Sequence, residues 1–256
     1  MNNLTTIFEK ISENYDKGFI NLKGTISKDL KDFLSSLNYK VYYAWTKKHG
    51  ERTQIKWHGR RIKMLNNEEK LLYIKGYVLG KFGNLKRESG EFAYTHSLGM
   101  EEILKQTPNL NTYELRAVAL LHDIIEDTNT SLLDLKKDIP FLEPEILRAV
   151  NSLTKYNGMS LEDSLLLAQG DSLGRVIKGL DRYQNALTTY NTNSQEFISG
   201  FIYKSVKFYL PVLKESNNPF IEQLIKELKR LKTYLIPKAD KWLKENLTKE
   251  QYKILL

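Results

Sequence analysis

The chain has no cysteine, which excludes a disulfide framework, a thiolate nucleophile and a Cys-ligated zinc site. Any metal must therefore sit on His, Asp, Glu or backbone oxygen. Histidine is scarce too, with four among 256 residues, so few positions can offer an imidazole. No apolar run approaches the roughly 18 residues of a membrane-spanning helix. Residues 1–18 also lack the basic-then-apolar order of a signal peptide. These absences predict a cytoplasmic protein with no membrane partner. Acid is in deficit, 31 Asp plus Glu against 39 Lys plus Arg, for a net charge of +8. Such a balance favours anionic partners such as nucleotides or nucleic acid, although a Lys-rich solvated surface gives the same figures. Internal repeats and low-complexity linkers are missing as well.

What is present is a 41% hydrophobic composition, ample for a packed interior. Residues 1–37 read as two short amphipathic helices, the second following Ser27 with Leu30, Phe33, Leu34 and Leu37 at helical spacing. Over 39–65 the period changes to two: Val41, Tyr43 and Trp45, then Ile55 and Trp57, then Ile62 and Met64, which predicts a small antiparallel β meander. This stretch is strongly basic, since Lys40, Lys47, Lys48, Arg52, Lys56, Arg60, Arg61 and Lys63 face only Glu51. With Tyr42, Trp45 and Trp57 between them, the cations of 40–63 could bind nucleic acid. A small sheet with one wet face accounts for the same pattern. From 67 onward helical periodicity predicts helices over 68–82, 97–106, 113–127, 131–138, 144–153, 160–169, 171–190, 194–215, 220–232 and 238–255. The expected organisation is an extension over 1–66, a mainly α core over 67–215 and packed C-terminal helices over 216–256.

Residues 114–128 carry the chemistry. Leu115, Val118, Ala119, Leu121 and Ile125 form an apolar stripe, yet the segment ends in His122, Asp123, Glu126 and Asp127. Three carboxylates at i, i+3 and i+4 repel one another, and the C-terminal end of a helix disfavours negative charge. A divalent cation would compensate. His122 and Asp123 offer an imidazole and a carboxylate side by side, while Glu126 and Asp127 reach the same mouth without needing to be ligands. His96, before a predicted helix, and Asp181, where an apolar run meets a polar cluster, would complete a shell of two nitrogens and two oxygens. Positions would stay open for water and phosphate oxygen, which suits Mn2+ or a related divalent ion. Singly, a histidine is commonly structural and a helical aspartate commonly solvated; the combination is what indicates a site.

These residues resemble the HD-domain phosphohydrolases, and within them the hydrolase domain of RelA/SpoT-type alarmone enzymes and the small alarmone hydrolases. Arg87-Glu88-Ser89-Gly90-Glu91 before His96 is similar to the family's Arg-Lys-Ser-Gly-Glu stretch, and His122-Asp123-Ile124-Ile125-Glu126-Asp127-Thr128 matches its HDxxEDT signature. Leu153-Thr154-Lys155 is similar to a Val-Thr-Lys segment, Lys178-Gly179-Leu180-Asp181-Arg182-Tyr183-Gln184-Asn185 to Lys-Leu-Ala-Asp-Arg-Leu-His-Asn, and Tyr209-Leu210-Pro211 to a stretch ending the core. The resemblance implies an HD helical bundle with metal ligands His96, His122, Asp123 and Asp181 and a general acid/base pair in Glu126 and Asp127. It also implies that Arg87 stacks on a base and that Asn185 and Thr188 hold ribose or phosphate, with Lys155, Lys178 and Arg182 as further substrate contacts, Arg182 being alternatively a partner of the carboxylates. The expected reaction is hydrolysis of the 3'-pyrophosphate of ppGpp or pppGpp, giving pyrophosphate and GDP or GTP. The sequence departs from the family at Glu88, Ser97 and Gln184. Glu88 replaces a cation beside Arg87, and its carboxylate could pair with guanine or with the adenine amino group, so the adenosine analogue (p)ppApp competes as substrate. Two other readings stay open: another HD-type nucleotide phosphohydrolase, and a silent protein that binds nucleotide or nucleic acid. The oligomeric state is not legible.

Overall fold

The structure, a computed structural model, describes residues 10, 19–23, 28, 31, 40–46, 50–56, 65–87, 90–192 and 194–256. In chain order the strands are β1 (Phe19–Lys23), β2 (Lys40–Thr46) and β3 (Gly50–Lys56). The helices follow as α1 (Asn67–Phe82), α2 (Ala93–Lys105), α3 (Tyr113–Leu121), α4 (Ile124–Asp127), α5 (Leu132–Asp138), α6 (Pro144–Leu153) and α7 (Leu161–Gly170). Next come α8 (Ser172–Thr188), α9 (Gln195–Lys204), α10 (Leu210–Glu215), α11 (Ile221–Thr233), α12 (Pro237–Asn246) and α13 (Lys249–Lys253). The fold is predominantly helical with a small N-terminal three-stranded antiparallel sheet. No helix among the described residues is long and apolar enough to cross a membrane. The chain divides into two compact units, Met1–Leu85 with Asp127–Leu142, and Lys86–Glu126 with Glu143–Leu256.

In the first unit the strand order is β1-β3-β2, so β3 lies in the centre and the sheet is not the simple meander expected. The third strand is β1, in a stretch read from sequence as helical. Its Phe-Ile-Asn-Leu-Lys alternates with period two, burying Ile20 and Leu22 on the face shared with Thr53 and Ile55 of β3. On the other face Gln54 donates to Asn21 across the pair at 3.1 Å. The strand expected at Ile62 to Met64, together with Trp57, Arg60, Arg61 and Lys63, lies outside the described residues, as does most of the helical pair expected over 1–37. Asn66 opens α1 with a capping box, accepting from the Glu69 N–H while the Glu69 carboxylate accepts from its own. Asp138, at the end of α5, ties that helix to α1 by accepting from the Tyr73 hydroxyl at its carbonyl and from the Tyr77 hydroxyl at its carboxylate.

In the second unit α8 packs against α2, α3, α6, α7 and α11. Its N-terminus is capped by the buried Asp171, whose carboxylate accepts from the Leu173 and Gly174 N–H groups and from Arg148 Nε. Midway along it, a Cβ at position 179 would stand 2.2 Å from Asn218 Oδ1. Only glycine lets the buried Asn218 reach the helix and donate to the Arg175 carbonyl. Helices α2 and α3 are joined by an ion pair buried on both sides, in which Arg116 Nε donates to Glu101 Oε1 at 2.8 Å. The segment 194–215 departs from a plain α-helix: a π-helical turn at Ser205–Tyr209 separates α9 from α10. Ser205 Oγ donates there to the Phe201 carbonyl, which the Ser205 backbone N–H also reaches.

Candidate metal centre

The helix expected over 113–127 is interrupted at His122 and Asp123, which link α3 to α4. The break has a local cause. His122 Nδ1 donates to the Ala119 carbonyl at 2.8 Å, taking the acceptor that the Asp123 N–H would use in a continuous helix. With the proton on Nδ1, the Nε2 lone pair faces into the site. Nε2 is fully buried and makes no hydrogen bond, although Asp123 Oδ2 stands 2.8 Å away. When protonated, Nε2 pairs with this carboxylate, and once that proton leaves, the buried nitrogen is free to ligate a cation.

Helix α2 begins at Ala93, four residues earlier than expected, so His96 lies within its first turn rather than before it. His96 Nε2 is 3.1 Å from Asp181 Oδ1, and its Nδ1 meets Gln184 Oε1. The two imidazole centroids are 5.1 Å apart. Donor atoms of His96, His122 and Asp181 all lie within 4.8 Å of one another, which brings together three of the four expected ligands. Asp123 contacts His122 but is not in that mutual group. Two imidazole nitrogens and a carboxylate, with one nitrogen buried and unbonded, fit a divalent ion of the borderline-to-hard class.

Charge supports the fit. Burial opposes protonation of His122, but the carboxylates of Asp123 and Asp181 outweigh it and hold its pKa up at about 9. Burial also opposes ionisation of Asp181, and the His96 hydrogen bond and Lys178 ammonium override it to keep the carboxyl well below its ordinary range. Asp123 is lowered in the same way, burial being outweighed by His122. The cluster thus holds carboxylates paired with protons that an ion would replace. Lys178 remains charged: burial lowers its pKa, but Asp181, Tyr209, Asp123 and Glu126 raise it further.

Glu126 Oε1 accepts the Lys155 backbone N–H at 2.5 Å, so Lys155 touches the site through its main chain while its side chain is exposed. Arg87 donates to Asn185 Oδ1, and Asn185 Nδ2 donates to Asp181 Oδ1 at 2.6 Å, linking two expected substrate contacts to a metal donor. Thr188 Oγ1 donates to the Asn185 carbonyl of its own helix. The Arg182 guanidinium lies between the rings of Phe201 and Tyr209, at 3.8 and 4.2 Å, and donates to Ser205 Oγ and the Phe201 carbonyl. It clamps α8 to the π-helical turn. Asp127 belongs to the first unit, where it lines a cavity of about 380 Å³ with Lys81, Thr128 and Thr130. Glu88 lies outside the described residues. Sequence reasoning gave no role to Gln184, although its position one turn after Asp181 puts both on one helix face.

No family model matches the chain. A segment of 118 residues is 34% identical to the proteins named GTP pyrophosphokinase rsh in Brucella ovis and Brucella abortus. It covers 46% of this chain and 15% of those proteins, so the chain matches a small part of their length. Among solved structures, that of a metazoan ortholog of SpoT, described as hydrolysing ppGpp and acting in starvation responses, superposes with a TM-score of 0.54 at 18% identity. The match takes in 65% of this chain and 97% of that one. The helical fold is shared with that protein, and the chain is distantly related to RelA/SpoT-type proteins.

Proposed function

We propose that this protein is a metal-dependent phosphohydrolase that removes the 3'-pyrophosphate from a guanosine alarmone, ppGpp or pppGpp, using Mn2+. The observation that carries this reading is the convergence of His96, His122 and Asp181 donors around the buried, unbonded Nε2 of His122. The relationship to Brucella proteins named GTP pyrophosphokinase, and the fold shared with a protein described as hydrolysing ppGpp, support this substrate class. His96, His122 and Asp181, with Asp123 beside them, would hold the ion, which would acidify a water and polarise a phosphoryl oxygen.

The chain's own groups do the rest. Glu126, held in place by the Lys155 N–H, and Asp127 share the proton transfers: one takes the proton from the attacking water, and the other delivers one to the departing ribose 3'-oxygen. Water adds to the phosphorus attached to O3', the P–O3' bond breaks, and the products are pyrophosphate and GDP or GTP. The Lys178 ammonium neutralises phosphate charge. Arg87 stacks on the base, with Asn185 and Thr188 at the sugar and its phosphates. The adenosine analogue (p)ppApp enters the same site through the same 3'-pyrophosphate.

Product analysis on a nucleotide panel with Mn2+ tests this. Pyrophosphate and GDP from ppGpp, lost in chelator and in His122→Ala, are the expected result. Release of phosphate only from 5'-nucleotides would replace the substrate class, and inertness toward the whole panel would end the hydrolase reading.

A further inference from the structure

The two histidines of the metal centre differ in what grips the far side of each ring. His122 gives its Nδ1 proton to a backbone carbonyl, an acceptor that no side-chain substitution removes. His96 has a side-chain amide instead, with Gln184 Oε1 at its Nδ1. Gln184 lies on α8 one turn beyond Asp181, whose Oδ1 faces Nε2 of the same ring at 3.1 Å. One helix face therefore addresses both nitrogens of His96. The space for the amide comes from α2: Gly99 sits one turn after His96, and a Cβ there would stand 3.1 Å from Gln184 Nε2.

An amide presents an acceptor on one side and donors on the other. With Oε1 toward the ring, Nδ1 carries the proton, and an ion that displaces the Nε2 proton now facing Asp181 would meet the Nε2 lone pair. With the amide reversed, its NH2 would donate into an Nδ1 lone pair, the single ring proton would be held on Nε2 against Asp181, and Nε2 could not ligate a metal. A carboxylate at 184 could support only the first arrangement.

We infer that Gln184 is the positioning residue that holds His96 as an Nε2 ligand and so sets the affinity of the site for its divalent ion. The inference rests on the metal reading given above and adds a residue that the ligand set does not contain. Gln184 itself touches neither ion nor substrate in this role.

The test is Mn2+ alone, titrated calorimetrically into the metal-free full chain. Gln184→Met keeps the length and removes the acceptor, and its affinity is expected to fall about 10- to 100-fold, the usual effect of removing the hydrogen-bond partner of a metal-bound histidine. Gln184→Glu is expected to restore the affinity or exceed that of the wild type. A packing role would give the opposite order, with Met tolerated and Glu harmful, and that order would overturn the inference. Should the Met variant fail to fold, 15N shifts of His96 in the Zn2+-loaded wild type decide: a protonated Nδ1 with metal-bound Nε2 supports the role, and ligation through Nδ1 refutes it. A wild type that binds Mn2+ alongside an unchanged Met variant sinks Gln184 alone, whereas a wild type that binds none removes the metal site and the inference together.

Discussion

His122 and Asp181 bring their donors to one point from opposite kinds of backbone. The first sits where a helix breaks, its ring fixed by the main-chain carbonyl of Ala119. The second sits in the middle of the unbroken α8, and its carboxylate is fixed by side chains: the Asn185 amide, the His96 ring and the nearby Lys178 ammonium. A main-chain contact survives substitution at neighbouring positions, while a side-chain network can be retuned one residue at a time. The break therefore gives the site its permanence, and α8 is where affinity and specificity can vary.

The largest effects should come from removing a donor on either side. His122→Ala and Asp181→Asn are each expected to lose the metal, with turnover falling to background; metal retained in His122→Ala would break the comparison at its stronger half. Next comes Glu126→Gln, expected to keep the metal while turnover falls about 10²- to 10⁴-fold, the usual span for a lost general acid or base. Elemental analysis beside initial rates separates the two classes. Both sides depend on the α2 to α3 pairing, so Glu101→Ala, which removes the buried carboxylate that Arg116 faces, should destabilise the fold by about 3–5 kcal/mol in urea titration. A loss below about 1 kcal/mol would mean that Arg116 finds another partner or water.

Acidity gives the smallest and most selective effect. In the metal-free protein the His122 pKa is raised from 6.5 to about 9. Its stabilising contribution is therefore complete below about 6.5 and lost as the pH climbs through about 9. Metal binding must displace that proton, so Mn2+ affinity should rise about tenfold per pH unit up to that limit. Asp123→Asn removes the strongest charge that raises the His122 pKa and should flatten the dependence. A metal affinity that is level between pH 6 and 9 would show that His122 is not a ligand.

The break side was legible in the sequence and the α8 side only partly so. The crowding of His122, Asp123, Glu126 and Asp127 at the end of an apolar stripe signalled a cation because charge repulsion is a local property. The interruption itself was not visible, since it comes from a ring-to-backbone bond that competes with the ladder. On α8 the pattern placed Asp181 and Asn185 but not their links to His96 and Arg87, which depend on how α2 and the chain before it pack. Arg182 read as a substrate contact or a partner of the carboxylates, and the structure places it between Phe201 and Tyr209. Its ring partners lie 19 and 27 residues along the chain, beyond any local pattern. In the sheet, alternation found β2 and β3, while β1 was lost among residues read with a helical period.

The most direct test of the account is turnover of ppGpp followed as Mn2+ is titrated into metal-free protein. The expected curve starts at zero, rises with added ion and saturates once the site of His96, His122 and Asp181 is filled, with pyrophosphate as product. Full turnover in excess chelator, or none at saturating Mn2+, would contradict it.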